Sequence, residues 1–312
     1  MEIFLTSLQA TIKIFLITAF GYVFFKIKIT NKLYKPLIFY TINIAIPILI
    51  LYRLITKFDL TLFIKSLFLP LYGIFLIFSG YIIGKKLIHI LNIPKEKQNT
   101  FIASIMFTNC GYLPLPLFQS IFTGNDIAIS QIYVFFISIV YTLSIWSIGV
   151  NMLKVSNNVK KERFKLTPPF YAIILGILLS FFNTKRLLFP YLETVIKIIG
   201  ESGVLLVMFM MGGGLSSVKF RSIKIDKPVV SIIISRLIIF PLIILPALLL
   251  FHIDSVLRIV LIVEAGVPPA VNLVIITQKY GNNKNIDFLL SVMITTYVIS
   301  IFTLSFLIFV VQ

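Results

Sequence analysis

The chain has 312 residues, 59% hydrophobic and 12% charged, with a mean hydropathy of +1.04. No soluble domain hides that much apolar surface, because polar and charged residues must cover its exterior. The net charge of +17 invites a nucleic-acid partner, but the lysines fall in short clusters between apolar runs, a topology signature rather than a binding stripe. The partner read from this composition is a lipid bilayer.

Apolar runs of about 20 residues, the length that crosses a bilayer, recur along the chain. They predict ten spans: Phe4 to Phe25, Pro36 to Leu54, Leu62 to Gly84, Asn99 to Phe122, Ile129 to Leu153, Pro168 to Asn183, Tyr191 to Ser216, Val229 to Phe251, Val256 to Gln278, and Asp287 to Val311. The first runs past Gly21 into a lysine cluster without an Ala-x-Ala cleavage pattern, so it reads as a retained span and not a signal peptide. Loops after the odd-numbered spans hold nineteen Lys and Arg, from Lys26 through Lys284; the opposite loops hold four, Arg53, Lys57, Lys185 and Arg186. That bias puts the odd-numbered loops in the cytoplasm and both termini of a multi-pass cell-membrane protein outside.

Cys110 is the only cysteine, which rules out an intramolecular disulfide. His89 and His252 fall near predicted loops. No cluster of Cys, His and acidic residues has ligand spacing, so neither a metal nor a cofactor is expected, and no nucleophile–base constellation points to an enzyme.

The longest loop, residues 154–167, divides the chain into residues 1–153 and 168–312. Each part holds five predicted spans, and an odd number forces the second to enter the membrane in the opposite sense. A duplication here is an inverted repeat, the plan of many secondary transporters.

Span four carries Thr108-Asn109-Cys110-Gly111-Tyr112-Leu113-Pro114-Leu115-Pro116, and span nine carries Glu264-Ala265-Gly266-Val267-Pro268-Pro269. Proline removes a backbone donor and clashes with the preceding turn. A broken helix survives in hydrocarbon only where protein or a polar cavity covers it. Paired interruptions in corresponding spans are the best sequence pointer to a transporter's binding site, although each is also readable as an ordinary proline kink. Half-helix N-termini suit an anion and C-termini a cation. Asn109 adds an amide, Pro114, Pro116, Pro268 and Pro269 hold the breaks open, and Gly111 and Gly266 let the two backbones approach. Tyr112 and Asn272, one turn beyond the second break, flank the site.

Glu264 is an acid in an apolar setting, costly there and therefore a candidate for sodium or proton coupling; the alternative is a structural partner for Arg258 or another buried cation. Asn43 and Pro47 form either a locally satisfied kink or a substrate-facing pair. Glu193, Lys197 and Glu201 stack at helical spacing, can pair with one another, and read as a solvated end or a structural ion-pair ladder rather than a transport path. Arg236 is expected to snorkel toward the cytoplasm. Gly212-Gly213-Gly214 marks a flexible or tightly packed place, and Trp146 and Tyr133 read as packing residues. Lys13 has no obvious role.

Taken in order, Gly21-Tyr22, Asn43-x-x-x-Pro47, Asn109-x-Gly111-x-x-Pro114-x-Pro116, Gly176, Met211-Gly212-Gly213-Gly214-Leu215, and Pro268-Pro269-Ala270-x-Asn272 before Lys279-Tyr280-Gly281 resemble the auxin efflux carrier family, whose prokaryotic members include malonate-type transporters. The resemblance implies a fold like that of bile-acid sodium symporters and some sodium–proton antiporters. Spans four and nine would cross in a transport domain with three, five, eight and ten. Spans one, two, six and seven would form a scaffold and a homodimer surface. It implies elevator-like transport of an organic anion. The chain lacks the plant branch's long central cytoplasmic loop, which favours a small carboxylate over auxin.

The expectation is therefore an all-α polytopic secondary transporter of a small organic anion, built as two inverted five-helix repeats. Asn43, Asn109, Gly111, Tyr112, Pro114, Pro116, Pro268, Pro269 and Asn272 are the substrate candidates, with Glu264 for sodium or proton coupling. The competing readings are a sodium-coupled bile-acid-type symporter and a channel or membrane sensor.

Overall fold

The computed structural model describes residues 2–27, 29–154, 166–182, 184, 190–216, 223–251 and 253–312, without the side chains of residues 2, 3 and 283. Lys28, Lys185, Arg186, Lys219, Arg221, His252 and nearly all of the predicted linker lie outside the described residues.

Among the described residues twelve helical runs follow one another: α1 (Glu2–Lys26), α2 (Thr30–Lys57), α3 (Leu60–Leu91), α4 (Lys95–Met106), α5 (Pro114–Ile121), α6 (Asn125–Leu153), α7 (Pro168–Phe181), α8 (Pro190–Leu215), α9 (Lys227–Leu250), α10 (Ser255–Gly266), α11 (Asn272–Tyr280) and α12 (Ile286–Val311). Among the described residues seven of these, α1, α2, α3, α6, α8, α9 and α12, are long and apolar enough to cross a membrane, and α7 is a shorter apolar helix. Their outward faces carry bare Leu16, Phe20, Leu71, Phe78 and Phe302, which suits hydrocarbon and would be a liability in water. The chain is a multi-pass membrane protein.

Local chemistry sets the helix ends. Asp59, Asp226 and Asp254 cap α3, α9 and α10, each accepting from backbone amides two or three residues on. Asn92, in the left-handed conformation, ends α3. His89 consequently lies in the last turn of α3 and not in a loop, because Lys85, Lys86 and His89 do not themselves stop a helix.

Three runs contain a wide π-turn: Thr41–Ala45 in α2, Ile145–Gly149 in α6 and Ser235–Ile239 in α9. Such turns re-aim side chains and often sit at functional places.

Helices α1, α2, α7 and α8 pack on one another. The α1–α8 crossing is close because Gly21 and Gly212 oppose backbone directly: a Cβ on Gly212 would come within 1.8 Å of the Thr18 carbonyl oxygen, and one on Gly21 within 2.1 Å of that of Phe209. The three-glycine run is thus a packing surface rather than a flexible point.

The predicted spans four and nine are each two half-helices. The chain leaves helix after Met106 and re-enters at Pro114; it leaves again after Gly266 and re-enters at Asn272. The two gaps pair with each other as one antiparallel bridge, Thr108 opposite Pro269. The Asn109 amide donates to the Pro268 carbonyl at 2.9 Å, and the Ala270 amide to the Phe107 carbonyl at 2.9 Å. Thr108 and Pro269 therefore form the pair whose own amides are not needed across the bridge, so proline at 269 costs nothing there. Backbone that hydrocarbon would leave unpaired is satisfied by the other break.

Candidate functional site

The bridge forms one side of a cavity of about 270 Å³. Asn109, Cys110, Gly111 and Tyr112 line it from the first break, and Ala270, Val271 and Asn272 from the second. The remaining wall is mostly apolar, with Ile38, Ile42, Val207 and Met210 among its residues, and Trp146 at the π-turn of α6. Trp146 thus belongs to the cavity and not only to packing, whereas Tyr133 is a buried packing residue. Among the described residues no Lys, Arg or His lines the cavity.

The donors facing this space differ from those expected. Pro114 and Pro116 have no amide, and the amides of Leu115 and Leu117 already donate to the Gly111 and Leu113 carbonyls. The first turn of α5 therefore has no spare donor for an anion. Among the described hydrogen bonds, the loop amides of Cys110 and Gly111, and those of Val271 and Asn272 at the start of α11, have no carbonyl partner. These are the open positive ends of the site.

Asn109 is 3% exposed, and its side chain is held on both sides. Its Oδ1 accepts from the Tyr112 amide at 3.0 Å, an Asx turn. Its Nδ2 donates to the Tyr297 hydroxyl, which in turn donates to the Pro269 carbonyl at 3.3 Å. Tyr297, on α12, ties both breaks together and has no sequence signal beyond being a tyrosine in an apolar run.

Neither break glycine serves the approach of the two backbones. A Cβ on Gly111 would meet nothing within 4 Å, so this glycine leaves cavity space open. A Cβ on Gly266 would meet Leu307 at 2.7 Å and Pro241 at 3.3 Å, so it packs against α12 and α9 instead. Backbone pairing brings the breaks together. Asn43 does not line the cavity; its Nδ2 donates to the Phe39 carbonyl at 2.9 Å, the local alternative for a kinked helix. Pro114, Pro268 and Pro269 shape the breaks without lining the cavity, and Pro116 lines a second cavity.

Behind the bridge lies a buried polar group. Glu264 and Arg236 are each 0% exposed. Arg236, set on the π-turn of α9, does not snorkel. Its Nη2 donates to the Ala265 carbonyl at 3.1 Å and the Val267 carbonyl at 3.2 Å, the open C-terminal end of α10. The cation suited to that helix end is supplied by the protein. Among the described residues, both Glu264 carboxyl oxygens and Arg236 Nη1 have no hydrogen-bond partner, and the Tyr141 hydroxyl and Thr108 Oγ1 lie beside one another. Arg236, Tyr72 and Tyr141 lie within electrostatic reach of Glu264. Arg258 is not its partner; it donates to the Ile253 and Val311 carbonyls.

The Glu193, Lys197 and Glu201 stack is not an internal ladder. Glu193 accepts from the Tyr52 hydroxyl at 3.3 Å and Glu201 pairs with Arg53 at 3.0 Å, both on α2. Arg53 Nε also donates to Gln131 Oε1 on α6 at 2.7 Å. Helical spacing put the acids on one face, and the neighbouring helix supplied better-placed donors.

The family model described as "Membrane transport protein" matches residues 6–167 and 159–308. No curated protein matches the chain.

Proposed function

The chain belongs to this membrane transport family, of auxin efflux carrier type, and from that premise we propose that it is a secondary active transporter of an organic anion in the cell membrane. In this reading the two half-helix pairs and the short α7 also cross, giving ten spans in two inverted repeats, residues 1–153 and 168–312. Spans one, two, six and seven are the scaffold and a homodimer surface. The rest carries the substrate in an elevator-like shift, and both termini are outside.

The observation that carries the reading is the cavity shared by two paired breaks. A buried anion needs donors, and the amides of Cys110, Gly111, Val271 and Asn272, without a carbonyl partner among the described hydrogen bonds, belong to the lining of a mostly apolar space. With no cation in its lining among the described residues, the site suits a single carboxylate on an apolar body better than a compact dianion of the malonate kind. Asn109 and Tyr112 keep the donor loop in shape, and Glu264 is the group proposed to take up and release a coupling proton.

The sodium-coupled alternative is less well supported. Arg236 already occupies the Ala265 and Val267 carbonyls that a sodium ion would use. The test is counterflow in proteoliposomes over a panel of mono- and dicarboxylates, under proton or sodium gradients. Saturable counterflow of a monocarboxylate, driven by a pH gradient and indifferent to sodium, is expected. Sodium-driven uptake would return the symporter reading, and no saturable counterflow of any carboxylate would favour a channel or sensor.

A further inference from the structure

A second cavity, of about 470 Å³, lies on the other side of the first break. Its position follows from three elements. On α1 it takes Thr6 through Ile17, while the first cavity takes Tyr34, beyond the far end of that helix. On α8 it takes Glu201, Leu205 and Met208, while the first takes Val207, Met210 and Met211. On α5 it takes Pro116 and Gln119, while the first takes Leu115. The two spaces thus abut at Leu115–Pro116 and Val207–Met208 and extend in opposite directions.

The lining of the second cavity differs in kind. Lys13, Gln9, Gln119 and Ser120 face it, and its only charged residues among those described are Lys13 and Glu201. Glu201 is committed to Arg53 at 3.0 Å, whereas Lys13 has no ion pair among the described residues. The cavity therefore holds one uncompensated positive charge. Gln119 Oε1 also lacks a partner. A lysine in the middle of an apolar span is costly unless it faces water or a ligand.

We propose that this cavity is an anion-docking vestibule on the opposite face of the transport path, with Lys13 as the receptor for a carboxylate. Its purpose rests on the transporter reading, but its existence is testable without transport. The native cysteine is removed by Cys110→Ser, and Gln9→Cys places a thiol in the vestibule. Two membrane-impermeant thiol reagents are compared, one with an anionic sulfonate and one with a cationic trimethylammonium. Both react, and adding Lys13→Gln shifts the anionic-to-cationic rate ratio down roughly fivefold, the size expected for a unit charge about 8 Å away in water acting with opposite sign on the two probes. Lys13→Arg keeps the ratio. Benzoate slows the anionic reagent when Lys13 is present and not in Lys13→Gln.

A thiol at residue 9 that reacts with neither reagent, a ratio that Lys13→Gln leaves unmoved, or no protection by benzoate would each overturn the vestibule. The expected labelling without carboxylate counterflow keeps the vestibule and defeats the transporter reading. Normal counterflow with an unmoved ratio does the reverse.

Discussion

Two buried polar side chains decide how the breaks hold together. Arg236 donates to two carbonyls at the end of α10 and supplies the positive charge nearest an unbonded acid. Arg236→Gln should cost on the order of 3 kcal/mol, since hydrogen bonds from a charged group are worth more than neutral ones and a buried acid loses its compensation. Glu264→Gln in the same chain should recover part of that loss. A denaturation series of both single variants and the double variant measures it, and simple additivity would remove the electrostatic link. Tyr297 is a positioning residue in the same sense. Tyr297→Phe loses the hydroxyl between Asn109 and Pro269 and should weaken carboxylate binding in the same direction as Asn109→Ala but less, about 1 kcal/mol by the worth of one neutral hydrogen bond. Titration calorimetry with the best counterflow substrate checks it; unchanged affinity in Tyr297→Phe would leave Asn109 positioned by its Asx turn alone.

At the scale of elements, the breaks were legible and their partners were not. Prolines at 114, 116, 268 and 269 announce an interruption by removing donors, a purely local effect. That Pro269 falls at the bridge position needing no amide, or that α5 has no spare amide in its first turn, depends on pairing between residues far apart in sequence. The glycines show the same divide: spacing flagged Gly111, Gly212 and Gly266, but only packing tells what each does. Gly212→Ala should lower stability by about 3 kcal/mol or more, because the new methyl meets fixed backbone of Thr18 and Tyr22 and the helices must separate. Gly111→Ala should leave stability within about 0.5 kcal/mol, since nothing lies within reach of its methyl. It should instead lower substrate affinity by narrowing the cavity. Thermal unfolding in detergent read beside binding separates the two; equal loss of stability in both variants would defeat the distinction.

For the whole molecule, apolar run length marked the seven long helices of a multi-pass membrane protein, because hydrocarbon imposes that pattern on any sequence. Relative movement leaves no such pattern, and a cross-helix contact is the place to look for it. Arg53 bridges two groups that the elevator reading moves apart: Nη2 holds Glu201 on α8, and Nε holds Gln131 on α6. A shift of α6 against α2 and α8 must break the Gln131 bond while the Glu201 pair survives, so the charge on buried Arg53 stays compensated in both states. Gln131→Leu should then leave folding stability within about 1 kcal/mol yet move the conformational balance away from the arrangement seen here. Glu201→Gln should instead destabilise the fold, because Arg53 is left buried without a counter-charge. Spin labels at Asp126→Cys and Lys197→Cys in a Cys110→Ser chain read the α6–α8 distance directly. A second, shifted distance population that grows in Gln131→Leu is the expected result. A single unchanged distance in both chains would mean that α6 and α8 move as one body, and the elevator shift would have to be abandoned.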